Sequence, residues 1–340
     1  MKRLTVIGIL LIFLWGCAPA RPQTESKQYT ATFLELFDTV TTVVGKAPDP
    51  DAFTERANQV RDRLTVYHRL FDIYNSYEGL NNLKTVNDQA GIAPVAVDGE
   101  LMALLEDCME YYTVTQGRVN VAMGAVLSLW HDARTQALND PANGKLPDPE
   151  ALREAAEHCD PSQVILDKEA GTVYIADPRL SLDVGAIGKG WAVERVARSL
   201  PEGLLISVGG NVVATGPKAK DTPWVVGIQD PDGGDAYLHT VYLSKGAVVT
   251  SGDYQRVFAV EGNPYHHIID PQTLQPGNLW RSVSIVCTDS GVADMLSTAL
   301  FLLPKEAGQL LLDRFGAQAL WVDAQGNRFY SPGFYDFIRT

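Results

Sequence analysis

The sequence predicts an α+β fold with largely antiparallel sheets, and three observations carry that expectation. Apolar residues recur at three/four spacing in the first half, and short β-rich runs bounded by turn residues fill the second. Strands come in runs instead of alternating regularly with helices, which disfavours a doubly wound parallel sheet. Of the 340 residues, 46% are hydrophobic and 20% charged, enough for one large domain or two modest ones.

The first residues read as an export signal. Lys2 and Arg3 supply a positive start, and Leu4 to Trp15 is an apolar run too short to span a bilayer. It ends in Gly16-Cys17, and a small residue before a cysteine at that place resembles the lipobox of bacterial lipoproteins. The resemblance implies that residues 1–17 are a signal peptide ending at a lipidated (for example palmitoylated) Cys17, with the chain anchored to a membrane outside the cytoplasm. An ordinary signal peptide that happens to contain a cysteine is the alternative. Residues 18–30 are polar and proline-containing and suit a tether, which leaves 31–338 as the folded domain.

Residues 30–45, rich in Thr, Val and Phe, read as strand. From Asp51, the residues Phe53, Ala57, Val60, Leu64, Tyr67 and Phe71 line one helix face, and Leu101, Leu104, Leu105, Cys108, Met109 and Tyr112 line a second. A Pro/Asp/Asn/Gly-rich stretch at 139–149 separates this helical half from the strand-rich half. Strands are expected at 163–167, 172–176, 203–208, 223–229, 237–243, 246–250, 255–261, 265–269 and 281–287, with a turn at Asp230-Pro-Asp-Gly-Gly. Helices are expected after Lys189, Ala293 and Pro304.

The formal net charge is −13, from 41 acidic and 28 basic residues, which argues against nucleic acid as the main partner. An anionic ligand therefore needs a local positive device: a metal, a lysine or a helix N-terminus. Apart from Cys17, the cysteines Cys108, Cys159 and Cys287 are far apart and form no C-x-x-C pair, so neither a thiolate metal site nor a disulfide framework is indicated. Cys108 and Cys287 fall in element-like runs and read as core.

Four segments can carry chemistry. Asp183-Val-Gly-Ala-Ile-Gly-Lys-Gly-Trp191 runs into a helix; its glycines permit close backbone approach and Lys189 adds a mobile charge. It has neither the P-loop spacing nor the third glycine of a dinucleotide fingerprint, so a plain strand-to-helix turn is equally compatible with it. Thr250-Ser-Gly-Asp-Tyr-Gln-Arg256 reads as a polar loop between strands. Tyr265-His266-His267-Ile-Ile-Asp270-Pro271 places two histidines in a strand-like run, where adjacent side chains face opposite ways. One of them can serve a site as a base, although taken alone such a pair is more often a surface or core feature. In Ala293-Asp294-Met-Leu-Ser297-Thr298-Ala299, Asp294 and Thr298 share a helix face and offer a carboxylate and a hydroxyl to a hard cation. A helix-dipole carboxylate and a back-bonded threonine explain the same two residues.

Taken in order, these segments together with Gly209-Gly210-Asn211 resemble the ApbE family of FAD:protein FMN transferases. The family pattern is D-x-G-x-I-x-K-G-Y/W, G-G-N, T-S-G-D-Y-x-R, H-H-I-x-D-P and A-D-x-L-S-T-A, and all of it lies here between residues 183 and 299. The resemblance implies a tandem, T-fold-like architecture that binds FAD between its halves. It implies Mg²⁺-assisted cleavage of the FAD pyrophosphate, attack by a threonine (or serine) hydroxyl of a target protein, and loss of AMP. Carried over by residue, Asp294 and Thr298 are side-chain metal ligands, and a carbonyl of Gly185 or Ala186 completes the set. Asp183, Lys189 and Arg256 fall where FAD is contacted. His267 is the candidate for activating the hydroxyl, with Asp253 close by. The acceptor implied is a flavin subunit of a membrane redox pump.

The N-terminal half departs from the family pattern. Phe37-Asp38-Thr39 stands for M-G-T, Phe71 to Glu78 for S-x-Y-x-x-x-S-E, and Gly117-Arg-Val-Asn-Val-Ala-Met-Gly124 for G-x-F-D-x-T-V-G. Tyr74 can flank the flavin or belong to the core. Two other functions suit the same motifs: an FAD pyrophosphatase releasing FMN and AMP, and a flavin-binding lipoprotein without chemistry.

Overall fold

A computed structural model of the chain describes residues 26–234 and 236–339, so the export signal and Cys17 lie outside the described residues. The described part begins with a hairpin, β1 (Lys27–Leu36) and β2 (Thr39–Ala47). The tether expected to reach residue 30 therefore ends earlier, because Lys27 to Thr30 already pair with β2. Helix α1 (Pro50–Phe71) comes next, its start set by Asp49, which accepts the Ala52 N–H, and by a proline in the first turn. Its buried face carries Phe53, Ala57, Val60, Leu64 and Phe71, as the spacing predicts.

A long excursion leads away from α1: α2 (Leu83–Asp88), β3 (Val95–Ala96), α3 (Gly99–Val114), α4 (Gly124–Asn139), α5 (Pro149–Ala156), β4 (Val164–Asp167) and β5 (Thr172–Ile175). The chain then runs through α6 (Gly188–Arg198), β6 (Leu204–Val208), β7 (Asn211–Ala214), β8 (Trp224–Gln229), β9 (Tyr237–Leu243), β10 (Gly246–Gly252), β11 (Phe258–Val260) and β12 (Asn263–Tyr265). It closes with β13 (Ser282–Cys287), α7 (Ser290–Phe301), α8 (Lys305–Phe315), β14 (Gln318–Val322) and β15 (Arg328–Tyr330).

One eight-stranded sheet organises these elements, in the order β1-β2-β6-β7-β10-β13-β14-β15, and every neighbouring pair is antiparallel. It consists of two four-stranded sets side by side. In each set, two strands come before intervening helices and two after. The fold is thus α+β with a large antiparallel sheet flanked by helices.

β13 shows why the sheet holds. All six of its residues are buried, because the sheet is covered on both faces there. Val283, Ile285 and Cys287 point into the main core with α1, α3, α6, α7 and α8, whereas Val286 points into a second core under the β8–β9 hairpin. A third cluster joins α4 and α5 to the β11–β12 hairpin through Trp130, Leu152, Phe258 and Ile269. Among the described residues no helix is long and apolar enough to cross a membrane.

Several elements differ from the expectation. Helix α4 runs up to the stretch that reads as a spacer, and α5 begins inside it. α4 has no side-chain cap, so nothing in the sequence punctuates its start. Thr250 to Gly252 extend β10, and only Asp253 onward is loop. The strand expected at 265–269 is not one: β12 stops at Tyr265, and His266 and His267 sit in an irregular loop. Their separation onto two sides comes from hydrogen bonds: His266 bonds within that loop, and His267 bonds to the Gln255 carbonyl outside it.

Phe301 is fully buried at the end of α7 and meets the His266 ring edge-on with centroids 5.4 Å apart. Phe301→Ala should lower the unfolding free energy by about 3–5 kcal/mol, as for other large core truncations. Chemical denaturation checks this, and a loss well under 1 kcal/mol would show that the core collapses into the gap.

Candidate active site

The site is built where α6 and α7 touch. Gly190 lies so close to α7 that a Cβ there would stand 2.3 Å from the Ser290 carbonyl oxygen and 2.5 Å from Asp294 Cβ. That approach lets the Gly190 N–H donate to Asp294 Oδ2 at 2.8 Å. Asp294 is only 4% exposed, so its charge depends on such partners. Lys189 supplies another, with Nζ 3.9 Å from the same oxygen and 3.4 Å from the Gly185 carbonyl oxygen, to which it donates.

This arrangement suits a hard cation. Among the described residues no hydrogen-bond donor pairs with Asp294 Oδ1, and Thr298 stands one turn along the same helix. Gly185 is an exposed residue whose carbonyl already accepts from an ammonium group, and Ala186 beside it is half-buried. Carboxylate, hydroxyl and carbonyl oxygens are the donor set that Mg²⁺ prefers. The buried Asn211 Nδ2 has no partner among the described residues and lies on the same side of Gly190, 3.0 Å from where a Cβ would stand.

The Gly209-Gly210 turn ahead of Asn211 uses both glycines. Their φ values are 54° and 98°, and a Cβ at Gly209 would come within 2.6 Å of Thr39 Oγ1. The turn thus brings Thr39, from the start of β2, against the G-G-N segment.

Around this centre lies a cluster of opposite charges. Burial raises the Asp183 carboxyl above its ordinary range, opposed by the Gly185 N–H at 2.7 Å and by Arg256, His131 and Lys189. Arg256 and Lys189 also bear on His267. The His267 ring is recessed among protein groups yet open to solvent in the cleft. Burial and these two cations hold its pKa well below the usual histidine value, so the imidazole is neutral at pH 7. Its Nδ1 lies 3.1 Å from the Gln255 carbonyl oxygen, a contact that requires a proton on Nδ1 and leaves Nε2 as the basic nitrogen.

His266 has a different job. It is 8% exposed, its Nδ1 accepts the Ile268 N–H, and its Nε2 donates to the Gly277 carbonyl oxygen at 2.8 Å. Both nitrogens are committed, so His266 braces the loop while His267 faces the cleft.

Tyr74 belongs to the cleft and not to the core. It is 56% exposed, tilts against the His131 ring with centroids 5.5 Å apart, and lies near Asp183, Arg256 and Asp38. Asp72 holds its loop by accepting from the Tyr74 and Asn75 N–H groups and from the Tyr77 hydroxyl. Asp253 is less central than the sequence suggests. Its carboxylate faces Arg281 at 3.5 Å and lies near His266, whereas the His267 ring is bonded to the Gln255 carbonyl. Arg281 also pairs with Asp232 at the tip of the β8–β9 hairpin. Sequence reasoning misses His131 altogether, because it stands on α4, a helix that no sequence signal announces.

Fold and site define an α+β protein with a cationic, glycine-lined cleft beside a buried carboxylate. The sequence pattern of the ApbE family matches residues 37–321, and the chain belongs to that family. The FAD:protein FMN transferase of Treponema pallidum (strain Nichols) is 33% identical over 354 residues, covering 98% of this chain and 95% of that protein. The FAD:protein FMN transferase of Klebsiella pneumoniae (strain 342) is 31% identical over 253 residues, covering 71% and 76%. The crystal structure of the ApbE protein from Thermotoga maritima superposes with a TM-score of 0.81 at 30% identity, covering 92% of this chain and all of that one. The flavin transferase ApbE from Vibrio cholerae shares the fold, with a TM-score of 0.74 at 21% identity over 92% of this chain and 99% of that one.

Gly190→Ala should cost about 1–3 kcal/mol or more, since the added methyl forces α6 and α7 apart. An unchanged urea midpoint would mean that the two helices can separate freely.

Proposed function

We propose that this chain moves the FMN half of FAD onto a hydroxyl of a partner protein, with a divalent cation held by Asp294, Thr298 and the Gly185 or Ala186 carbonyl. The supporting observation is the buried carboxylate of Asp294, which has one oxygen engaged by Gly190 and Lys189 and the other unpaired among the described residues. Bound there, Mg²⁺ supplies charge neutralisation to pyrophosphate oxygens. The relatives' names, FAD:protein FMN transferase, supply the substrate and the reaction.

The chain's own groups fit the remaining tasks. In the first turn of α6 the Gly188 N–H is bonded to the Val184 carbonyl and the Gly190 N–H to Asp294, so it is the Lys189 ammonium that can meet phosphate oxygens on a protein that is acidic overall. Tyr74 and Arg256 border the cleft where a ring system and its phosphates would lie. Neutral His267 takes the proton of the incoming threonine (or serine) hydroxyl through Nε2. The new bond joins that oxygen to the FMN-side phosphorus, the P–O bond to the AMP phosphate breaks, and AMP leaves with the bridging oxygen. Asp253 stands at the edge of this corner, paired with Arg281 at 3.5 Å. The sequence around Cys17 supports a lipid anchor that keeps the domain on the outer side of a membrane. There the acceptor would be a flavin-carrying subunit of a membrane redox pump.

The test incubates the protein with FAD, Mg²⁺ and an acceptor carrying a D-x-[ST]-G-A-[ST] segment, then reads covalent flavin by in-gel fluorescence and mass. Covalent flavin with stoichiometric AMP is expected. AMP without covalent flavin would replace transfer by hydrolysis, and neither product would leave binding alone. Asp294→Ala should abolish metal-dependent turnover, and normal turnover in that variant would remove Asp294 as a ligand. Since His267 is neutral to well below its ordinary value near 6.5, the acid limb of kcat/KM should fall below pH 6.5. A limb centred above 6.5 that vanishes in His267→Gln would contradict the assigned protonation state.

A further inference from the structure

The segment Arg118 to Gly124, which differs from the family pattern at Val119, Asn120, Ala122 and Met123, touches the site from two directions. On one side, the Val121 carbonyl accepts the Asp183 N–H at 2.8 Å, and the Gly124 N–H donates to the Ser181 carbonyl at 2.9 Å. The stretch that carries Asp183 into the Gly185–Lys189 turn is therefore hung on this segment. On the other side, Arg118 Nη1 donates to both oxygens of Asp270, at 2.9 and 3.0 Å, and Nη2 donates to Gln272 Oε1 at 2.6 Å. The Arg118 and Asp270 side chains are 17% and 15% exposed, so solvent screens this pair far less than a surface ion pair.

Asp270 sits three residues after His267, in the loop that presents it. That loop is closed on itself by Gly277 N–H to Ile268 O, Asp270 N–H to Gln275 O and Leu274 N–H to Asp270 O, at 2.9, 2.8 and 2.8 Å. The loop therefore moves as a unit, and its position depends on what grips it from outside. Two such grips are Arg118 on Asp270 and, from α4, Trp130 Nε1 on the Leu274 carbonyl at 3.0 Å. The fork of Arg118 fixes direction as well as distance, which a lysine at that position cannot reproduce.

We propose that residues 118–121 are a rigid spacer between the Asp183 side of the cleft and the His267 loop, with Arg118 the positioning residue that sets where His267 stands. The inference rests on reading His267 as the group that activates the hydroxyl. Arg118 acts through Asp270 and meets no substrate. Its loss should leave the FAD side in place and misalign the proton acceptor.

The full chain is assayed for flavin transfer with FAD, Mg²⁺ and acceptor protein, alongside FAD affinity from quenching of flavin fluorescence. Arg118→Ala should lower kcat by roughly 10- to 100-fold and change FAD affinity by less than about threefold, with Arg118→Lys falling between. In a His267→Ala background, Arg118→Ala should cause little further loss, because the group it positions is gone. A normal kcat in Arg118→Ala, a parallel loss of FAD affinity, or an additive loss in the double variant would each overturn the proposal. If Arg118→Ala fails to fold, Asp270→Asn keeps the loop's shape, removes only the charge, and is read by the same criteria. A full rate in His267→Ala would sink the reading of the base itself. A slow His267→Ala beside a fast Arg118→Ala would sink only the spacer.

Discussion

The close contact between α6 and α7 at Gly190 is the constraint on which the rest of the site depends. Without a side chain at that position, two helices approach until a backbone N–H of one reaches a carboxylate of the other. A buried carboxylate is costly unless it is paired, and here the pairing comes from backbone and a lysine of the same turn. The contact also fixes Lys189 over the Gly185 carbonyl, so the cation, the carboxylate and the open carbonyl share one small volume.

The sheet supplies the remaining alignment. β7 delivers Asn211 to the face of Gly190 that meets α7, and β10 delivers Thr250 and Ser251, bonded to Ser284 on β13 and Ser297 on α7. Short polar side chains therefore stitch the strand ends to the helix that carries Asp294. The fully buried β13 leaves them no freedom to drift. Local positive charge is concentrated on Lys189 and Arg256, which is how a protein of net charge −13 can present an attractive face to an anion.

How much of this is legible in the sequence depends on whether the signal is local. Helix α1 and the Asp294/Thr298 face follow from spacing and caps, so they can be read directly. The sheet's strands are largely visible one by one, but their order is not, because pairing such as β2 with β6 joins residues more than 150 positions apart. The histidine loop mimics a strand because β-branched and aromatic residues flank it, while tertiary hydrogen bonds decide its shape. Asp253 looks like a partner of His267 by proximity in sequence, whereas Arg281, from the far side of the loop, claims it. Tyr74 is undecidable between core and cleft from sequence alone, because exposure is a property of the assembled fold.

The two buried cysteines have a practical meaning of a different kind. Cys108 in α3 and Cys287 in β13 are 1% and 6% exposed, and burial pushes both thiols up, so almost no thiolate meets solvent while the fold is closed. Alkylation of either must wait for an opening event, and the two lie in different structural neighbourhoods. Cys108 reports on the helical layer beside α1, and Cys287 on the centre of the sheet. Their separate labelling rates would therefore read out whether helices and sheet open together or in succession.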